Sequence, residues 1–233
     1  MSLTDEGHYG PKQLNLLKTV WGEGFLSPGG KDEIDEVMKG VDASGKAILD
    51  IGCGCGGAAI HLINKYRAKS VLGIDVEPLV INKAKELATK NDLSRIAHFR
   101  CVQPGPLDIS DESVDIVFSK EVFLHFQNKD DLIKDIYRVL KPNGRVVVSD
   151  WMRIDDNPPS KQMQEYIAAE GLDMYMCSLQ RYEHALKRAG FIDIEIQDRN
   201  AWYLDQARKE LAAIEGPLNK QVVEVIGEEE TSG

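Results

Sequence analysis

The feature that most constrains the fold is a glycine-rich turn between a short apolar run and a helical segment. Residues 47–51 (AILDI) form the apolar run, residues 52–57 (GCGCGG) form the turn, and residues 58–67 have the pattern of a helix. Glycines after a buried strand let the backbone turn sharply, and they let a ligand approach the first N–H groups of the following helix. The pattern therefore predicts a strand–turn–helix unit with a binding site at the turn.

Strands and helices continue to alternate beyond this turn. The other elements predicted in this region are strands at 70–75, 96–102, 114–118 and 145–149, and helices at 78–90 and 132–140. Such alternation predicts an α/β fold in which a doubly wound, mostly parallel sheet carries helices on both faces. Isoleucines alternate with polar residues over 192–196 and predict a sixth strand. Trp202 and Tyr203 are predicted to open the last helix and to pack in the core, with the wall of the substrate pocket as the alternative.

The composition excludes several classes of function. With 38 acidic and 28 basic residues, the chain has a formal net charge of −10, whereas nucleic-acid partners require a basic surface. No apolar run approaches the ~18 residues that span a bilayer, so no membrane association is expected. The four cysteines form no CxxC pair and no zinc-type spacing. We therefore expect reduced thiols, no bound metal, a cytoplasmic location and a monomer or homodimer.

The glycine turn by itself leaves two classes of ligand open. Gly52, Gly54 and Gly57 suit a nicotinamide dinucleotide as well as another nucleoside cofactor. Asp75, at the end of the second strand, would accept hydrogen bonds from ribose hydroxyls in either case. Asp50 lies two residues before the first glycine, where its carboxylate suits a cofactor with an ammonium group and would repel a pyrophosphate.

Two segments together resemble the signatures of class I S-adenosylmethionine-dependent methyltransferases. They are residues 50–57 (DIGCGCGG) and residues 138–148 (RVLKPNGRVVV). The resemblance implies that S-adenosylmethionine is the cofactor, with its methionine end at Asp50 and its ribose at Asp75. Gln103 stands where the family usually has an acid that binds adenine, and its amide oxygen would accept from the adenine amino group. The cofactor-binding residues implied in the core are Asp50, Gly52, Gly54, Asp75, Val76, Gln103 and Ser119.

The beginning of the chain is similar to phosphoethanolamine (phosphobase) N-methyltransferases. Tyr9 precedes Trp21, the first residue of the segment WGEGFLSPGG, by twelve residues, as a tyrosine does in that family. The segment FSKEVFLHF matches the family segment that carries its active-site histidine, which is His125 here. The resemblance implies that Tyr9 and His125 are the catalytic residues. It also places two further residues of the first segment against the cofactor, Leu26 and Ser27.

The chemistry of methyl transfer is compatible with a histidine in this place. Transfer from a sulfonium is an in-line displacement, so catalysis depends mainly on positioning and desolvating the nucleophile. An amine must first lose its proton, and histidine titrates near neutral pH. His125 is therefore expected to act as a base or to position the nucleophile, with Tyr9 holding the imidazole or the substrate.

The predicted substrate side departs from the family pattern. Tyr166 matches a family tyrosine that contacts the substrate phosphate, but Glu170 stands at the position of the phosphate-binding arginine. A carboxylate facing a phosphate is strongly unfavourable. Glu121, four residues before His125, would orient the imidazole or meet a cationic substrate. We therefore expect an N-methyltransferase that acts on a small amine metabolite and has altered phosphate-binding positions.

The expected organisation is a single domain with four parts. They are an N-terminal helical lid (1–40), the cofactor-binding core (41–150), a substrate lid (151–178) and a C-terminal part (179–233). Three alternatives stay open at this point. The first is a C- or S-methyltransferase that acts on another small molecule, such as a thioether. The second is a protein that binds the cofactor without chemistry, and the third is an NAD-dependent oxidoreductase.

Overall fold

A parallel sheet forms the centre of the computed structural model, which describes residues 9–226. Its strands are β1 (Ala47–Ile51), β2 (Ser70–Asp75), β3 (Ala97–Cys101), β4 (Val114–Lys120) and β5 (Leu140–Ser149). The strand order is β3-β2-β1-β4-β5, and every neighbouring pair is parallel. The predicted doubly wound α/β fold is confirmed. The fifth strand begins earlier than the sequence indicated, because pairing with β4 already starts at Leu140.

Helices precede, connect and follow these strands. They are α1 (Pro11–Trp21), α2 (Gly30–Val37), α3 (Gly57–Asn64), α4 (Pro78–Lys90), α5 (Lys129–Val139), α6 (Lys161–Glu170), α7 (Leu179–Ala189), α8 (Asn200–Glu215) and α9 (Asn219–Ile226). A short 3-10 turn, Phe123–His125, lies between β4 and α5. Side-chain caps begin several of these helices: Asn128 accepts from the Asp131 N–H at α5, and Ser178 accepts from the Arg181 N–H at α7.

The core has two halves because successive strand residues point to opposite faces of the sheet. In β1, Ile48 belongs to the half covered by α2, α3 and α4, whereas Leu49 belongs to the half covered by α5 and α7. Both residues are almost fully buried. Burial on both faces explains why the central strands β1 and β4 are mostly apolar runs rather than strictly alternating ones.

The sheet order reverses between β1 and β4. The chain proceeds outward from β1 to β2 and β3, and then returns to place β4 on the other side of β1. In such open sheets a crevice forms at the carboxyl ends of the two strands that flank the reversal. The glycine turn follows β1 at this edge, and the His125 turn follows β4.

Two predicted elements near the C-terminus are corrected by the structure. Residues 192–196 do not form a strand: Ile192 is 81% exposed, and Asp193 has a left-handed φ of 52° that interrupts the extended run. The helix predicted to open at Trp202 begins at Asn200, and it is not the last helix, since α9 follows it.

Three further properties concern the residues that the structure describes. None of their helices has the length and apolar character needed to cross a membrane. The cysteines at 53, 55, 101 and 177 are free thiols. Between residues 9 and 226, no cluster of three or more His, Cys, Asp or Glu side chains is arranged to hold a metal ion.

Candidate active site

A cavity of about 1220 Å³ opens at the carboxyl ends of the strands. It is large compared with the ~300–1,000 Å³ of ordinary small-molecule sites, so a cofactor and a small acceptor fit together. Its wall includes nearly all the residues that the sequence predicted for the site. These are Tyr9, Leu26, Ser27, Asp50, Gly52, Gly54, Asp75, Val76, Gln103, Glu121, His125, Tyr166 and Glu170.

Ser119 is the predicted site residue that lies elsewhere. It is fully buried within β4, and its hydroxyl donates to the Ile51 carbonyl at 2.9 Å. This bond joins the ends of β1 and β4, the two strands that flank the reversal of the sheet. Ser119 therefore supports the floor of the site and does not form part of its wall.

The glycine turn is fitted closely to its neighbours. Gly52 has a φ of +74°, and a Cβ placed on it would lie 2.1 Å from a methyl carbon of Val122. A Cβ on Gly57 would lie 2.7 Å from the backbone of Gly24, whose carbonyl accepts from the Gly57 N–H at 3.0 Å. The turn thus requires glycine at both positions. It also packs the N-terminal segment directly against the start of α3.

Asp50 places a buried carboxyl group beside this turn. The residue is 2% exposed, and its Oδ2 has no hydrogen-bond partner among residues 9–226. Burial, followed by the nearby charge of Asp75, raises the pKa of Asp50 to about 7. A buried carboxyl oxygen without a partner is costly, and a positively charged donor in the cavity would remove that cost.

Asp75 is held in a fixed orientation at the end of β2. Its Oδ2 accepts from the Gly54 N–H at 2.9 Å, and its Oδ1 accepts from the Glu77 N–H at 3.1 Å. Burial raises the pKa of Asp75, although these backbone donors oppose the rise. Each carboxylate oxygen can accept a second hydrogen bond, so the group remains able to bind hydroxyls of a ligand.

His125 ends the 3-10 turn after β4 and faces the cavity. Its Nδ1 lies 2.8 Å from the backbone carbonyl oxygen of Asp173. A carbonyl oxygen only accepts hydrogen bonds, so in the neutral ring the proton resides on Nδ1 and the lone pair on Nε2. The turn therefore presents an imidazole in the tautomer that a base with a reactive Nε2 requires.

The opposite wall of the cavity comes from the segment between β5 and α7. On α6, burial and the neighbouring Glu170 carboxylate raise the pKa of Tyr166 to about 12. The apolar residues of this wall are Trp151, Met152, Met163, Leu172, Met174 and Met176. This end of the site is thus lined by thioethers, aromatic rings and a carboxylate.

Basic side chains are few on the wall formed by residues 9–226. They are Arg100, Lys120 and His125. Arg100 donates to Asp108 at the far end of the cavity, and Lys120 donates to the Ser27 hydroxyl and, at 2.8 Å, to Glu121. Three further residues with side chains that could contact a phosphate do not contribute to the wall, namely Arg153, Tyr175 and Arg181.

Tyr203 lies beside the site through its contacts with Glu121 and Glu33. Its hydroxyl lies 2.7 Å from Glu121 Oε1 and 2.9 Å from Glu33 Oε1, and Arg199 Nη1 donates to the same Glu33 oxygen at 2.5 Å. Burial and the charge of Glu121 raise the pKa of Tyr203. Packing in the core was predicted for Tyr203, but no local pattern shows that a helix 80 residues after Glu121 returns to contact it.

Comparisons with known protein sequences all find similarity to methyltransferases. A family model described as a methyltransferase domain matches residues 42–184. Phosphoethanolamine N-methyltransferase 1 of Arabidopsis thaliana is 31% identical over 217 residues, which are 93% of this chain and 43% of that protein. The arsenite methyltransferase of Halobacterium salinarum is 32% identical over 159 residues, 68% of this chain and 40% of that protein. The chain therefore spans less than half the length of these curated relatives.

Solved structures of methyltransferases share the fold of this chain. Haemonchus contortus phosphoethanolamine N-methyltransferase 2, in complex with phosphomonomethylethanolamine and S-adenosylhomocysteine, superposes with a TM-score of 0.86 at 26% identity. The superposition covers 98% of this chain and 52% of that one. A putative sarcosine dimethylglycine methyltransferase from Galdieria sulphuraria, with a TM-score of 0.74 at 22% identity, shares the fold over 96% of this chain and 88% of its own.

Proposed function

Because this chain belongs to the class I S-adenosylmethionine-dependent methyltransferases, we propose that it binds S-adenosylmethionine and methylates the nitrogen of a small amine metabolite. The cavity residues divide into a cofactor end at the glycine turn and an acceptor end at His125 and α6. The organisation into an N-terminal lid, a cofactor core and a substrate lid is part of the same proposal.

The residues at the glycine turn fit this cofactor. The unpartnered Oδ2 of Asp50 is an acceptor for the ammonium group of the methionine part, and its charge would repel the pyrophosphate of a dinucleotide. Asp75 accepts from ribose hydroxyls, and Gln103 and Val76 lie at the adenine. Leu26 and Ser27, on the segment seated on the turn, cover the cofactor. When bound, the cofactor supplies a sulfonium-activated methyl group.

The residues at the acceptor end prepare the amine. At neutral pH an aliphatic amine carries a proton that must leave before its nitrogen lone pair is available. Nε2 of His125 takes this proton, because Nδ1 is already committed to the Asp173 carbonyl. Tyr9, on the wall of the same cavity, closes the site and holds the amine or the imidazole. The orientation of the His125 ring is the observation that carries the proposed N-methylation.

The charges at the acceptor end favour a substrate without a phosphate group. Glu170 and Glu121 are both on the wall, and Lys120 already forms an ion pair with Glu121. No arginine of the described chain lines this end, since Arg100 lies beside Asp108. A phosphate would therefore meet carboxylates without a matching cation, which is unfavourable in a poorly solvated site. Tyr166 and Glu170 are better suited to a neutral or cationic amine.

The test is a panel of small amines, phosphorylated and not, incubated with labelled S-adenosylmethionine. We expect turnover on one or more unphosphorylated amines and little on phosphoethanolamine. His125→Ala should lower kcat by about 10²-fold, the ordinary contribution of a general base, with cofactor affinity unchanged. Methylation confined to phosphoethanolamine would contradict the proposed substrate class.

The same assay, run with thioether acceptors as well as amines, separates the second candidate function, methylation of sulfur or carbon. Four methionines on the acceptor wall, Met152, Met163, Met174 and Met176, provide a soft apolar surface that also suits a thioether. A thioether has no proton to lose, so the His125→Ala variant would then retain turnover within about tenfold. Product analysis identifies the methylated atom directly.

A further inference from the structure

Lys129 is an unusual residue at the start of α5. It is the first residue of the helix and is only 2% exposed. A cation at a helix N-terminus opposes the helix dipole, and a buried ammonium group loses its hydration. Burial accordingly lowers the pKa of Lys129. Neither effect stabilises the fold, so the side chain requires another explanation.

The ammonium group of Lys129 binds three backbone carbonyl groups. It donates to the carbonyls of Phe123, at 2.7 Å, and of Phe126, and these two residues lie before and after His125 in the chain. Its third bond, at 3.0 Å, reaches the carbonyl of Tyr175 in the segment before α7. One cation therefore ties the His125 turn to a segment about 50 residues further along the chain.

The segment reached by this third bond also carries the hydrogen-bond partner of the imidazole. The Tyr175 N–H donates to the Leu124 carbonyl at 2.7 Å, and Asp173, two residues earlier, accepts from His125 Nδ1. The distance between Lys129 and Tyr175 thus determines where the Asp173 carbonyl lies relative to the ring. A shift of this segment would remove the acceptor that selects the tautomer.

A buried acid and a tyrosine complete the frame beneath the turn. Asp150, directly after β5, accepts from the Tyr182 hydroxyl, and its charge favours the charged form of Lys129. The Lys129 ammonium also lies 5.9 Å from the centre of the Tyr182 ring. These contacts hold the ammonium beneath the turn, on the side away from solvent.

We propose that Lys129 is a positioning residue that fixes the orientation and tautomer of the His125 imidazole by tying its turn to the segment that carries Asp173. The inference rests on the proposed function, in which His125 is the base. Lys129 itself does not line the cavity, so it acts only through His125.

The direct test is the tautomer of His125, observed by long-range ¹H–¹⁵N NMR of the ¹⁵N-labelled full chain at pH 8. The wild type should show the Nδ1–H form. Lys129→Met removes the three hydrogen bonds while keeping a side chain of similar length, and it should give a mixture of tautomers. Lys134→Met, an exposed lysine on the same helix, is the matched control and should keep the wild-type spectrum. An unchanged His125 spectrum in Lys129→Met would overturn the inference.

A double-mutant cycle tests the same point kinetically, with the amine that gives the highest turnover in the panel above. Lys129→Met should lower kcat by at least tenfold, because small displacements of a catalytic group are costly, without changing the Kd of S-adenosylmethionine. In the His125→Ala background, Lys129→Met should cause little further loss. Equal losses in both backgrounds would mean that Lys129 acts independently of His125 and would contradict the inference.

Lys129→Arg serves if the methionine variant does not fold. It keeps the charge, but a planar guanidinium cannot place its donors toward three converging carbonyls as an ammonium does. We expect a tautomer mixture and a kcat loss of about threefold or more with this variant, and a wild-type spectrum would count against the inference. Lack of turnover by the wild-type chain on every amine would instead count against the proposed function, while the NMR comparison would still decide the role of Lys129.

Discussion

Among the residues at the glycine turn, Asp50 is expected to contribute most to cofactor binding. In the folded protein its pKa is raised to about 7 by burial, with a contribution from Asp75. The native state therefore binds more protons than the unfolded state between roughly pH 4 and 7, so this group lowers stability as the pH rises through that window. An ammonium group bound at Asp50 would favour the charged form and bring the pKa down again.

Cofactor affinity should consequently depend on pH. We expect the Kd of S-adenosylmethionine to decrease as the pH is raised from 5.5 to 7 and to level off above the Asp50 pKa of about 7. Below pH 7, binding should release up to about one proton, because the ammonium shifts the Asp50 equilibrium toward the carboxylate. Titration calorimetry in buffers of different ionisation enthalpy measures this release.

The control for this prediction is Asp50→Asn, which keeps the size of the side chain and removes its charge. It should weaken binding by about 10–100-fold, the usual value of a hydrogen bond to a charged group, and abolish the proton release. Asp75 also has a raised pKa, so a pH dependence that persists in the variant would assign the effect to Asp75 instead. A constant Kd across the range in the wild type would contradict the role given to Asp50.

The turn between β1 and α3 is the element whose geometry the cofactor site requires. Gly52→Ala should destabilise the protein by about 1–2 kcal/mol for the left-handed backbone and by a further 1–3 kcal/mol, roughly, for the overlap with Val122. Gly45→Ala is a matched control, because its φ is +69° but no atom lies within 4 Å of the added carbon. Urea denaturation of both variants separates strain from overlap.

The two variants should also differ in cofactor binding. Gly52→Ala displaces Val122 or the turn itself, so we expect a loss of more than about tenfold in S-adenosylmethionine affinity. Gly45 lies before β1 and away from the cavity wall, so its variant should bind as the wild type does. Equal affinities of the two variants would show that the turn tolerates the displacement and that the site does not depend on its shape.

The elements of this fold differ in how well their sequence specifies them. The central strands β1 and β4 were predictable because strands buried on both faces are short apolar runs flanked by turns and helices. The alternation of Ile192 and Ile196 has the period of a strand, but a strand also requires a neighbour with which to pair. The sequence of this segment contains no information about such a neighbour, and both isoleucines are exposed in the structure.

An ion pair between Glu33 and Arg199 joins α2 to the start of α8, two segments that are far apart in the sequence. Glu33 on α2 is fully buried, and its Oε1 accepts from Arg199, Tyr203 and Ser149. Arg199 also stacks over the Trp202 ring at 4.4 Å. This network joins the N-terminal helices, the edge of the sheet and α8 around the acceptor end of the cavity.

Removal of one partner of this pair should therefore destabilise the entire domain. Arg199→Met leaves Glu33 buried without a cation, which costs about 3 kcal/mol and lowers Tm by roughly 10 °C in a chain of this size. Arg208→Met, an exposed arginine on α8, the helix that Arg199 precedes, is the control and should change Tm by only about 1–2 °C. Differential scanning calorimetry makes the comparison, and equal Tm values for the two variants would exclude a structural role for the pair.

Some residues of the site belong to recognisable local sequence patterns, whereas others reach their partners only through the tertiary fold. The glycine turn, Asp75 and His125 belong to short segments with recognisable patterns, and the structure places them around one cavity. Lys129 and Arg199 resemble any other charged residue of the chain when the sequence alone is considered. Their partners come from distant segments, and only the packing of the whole chain brings them together.

The proposed methyl transfer requires S-adenosylmethionine to bind at the carboxylate-flanked glycine turn. Isothermal titration calorimetry of the purified chain with S-adenosylmethionine, and separately with NAD, tests it most directly. We predict saturable binding of S-adenosylmethionine that is weakened by Asp50→Asn, and no heat change with NAD. Binding of NAD without binding of S-adenosylmethionine would contradict the account.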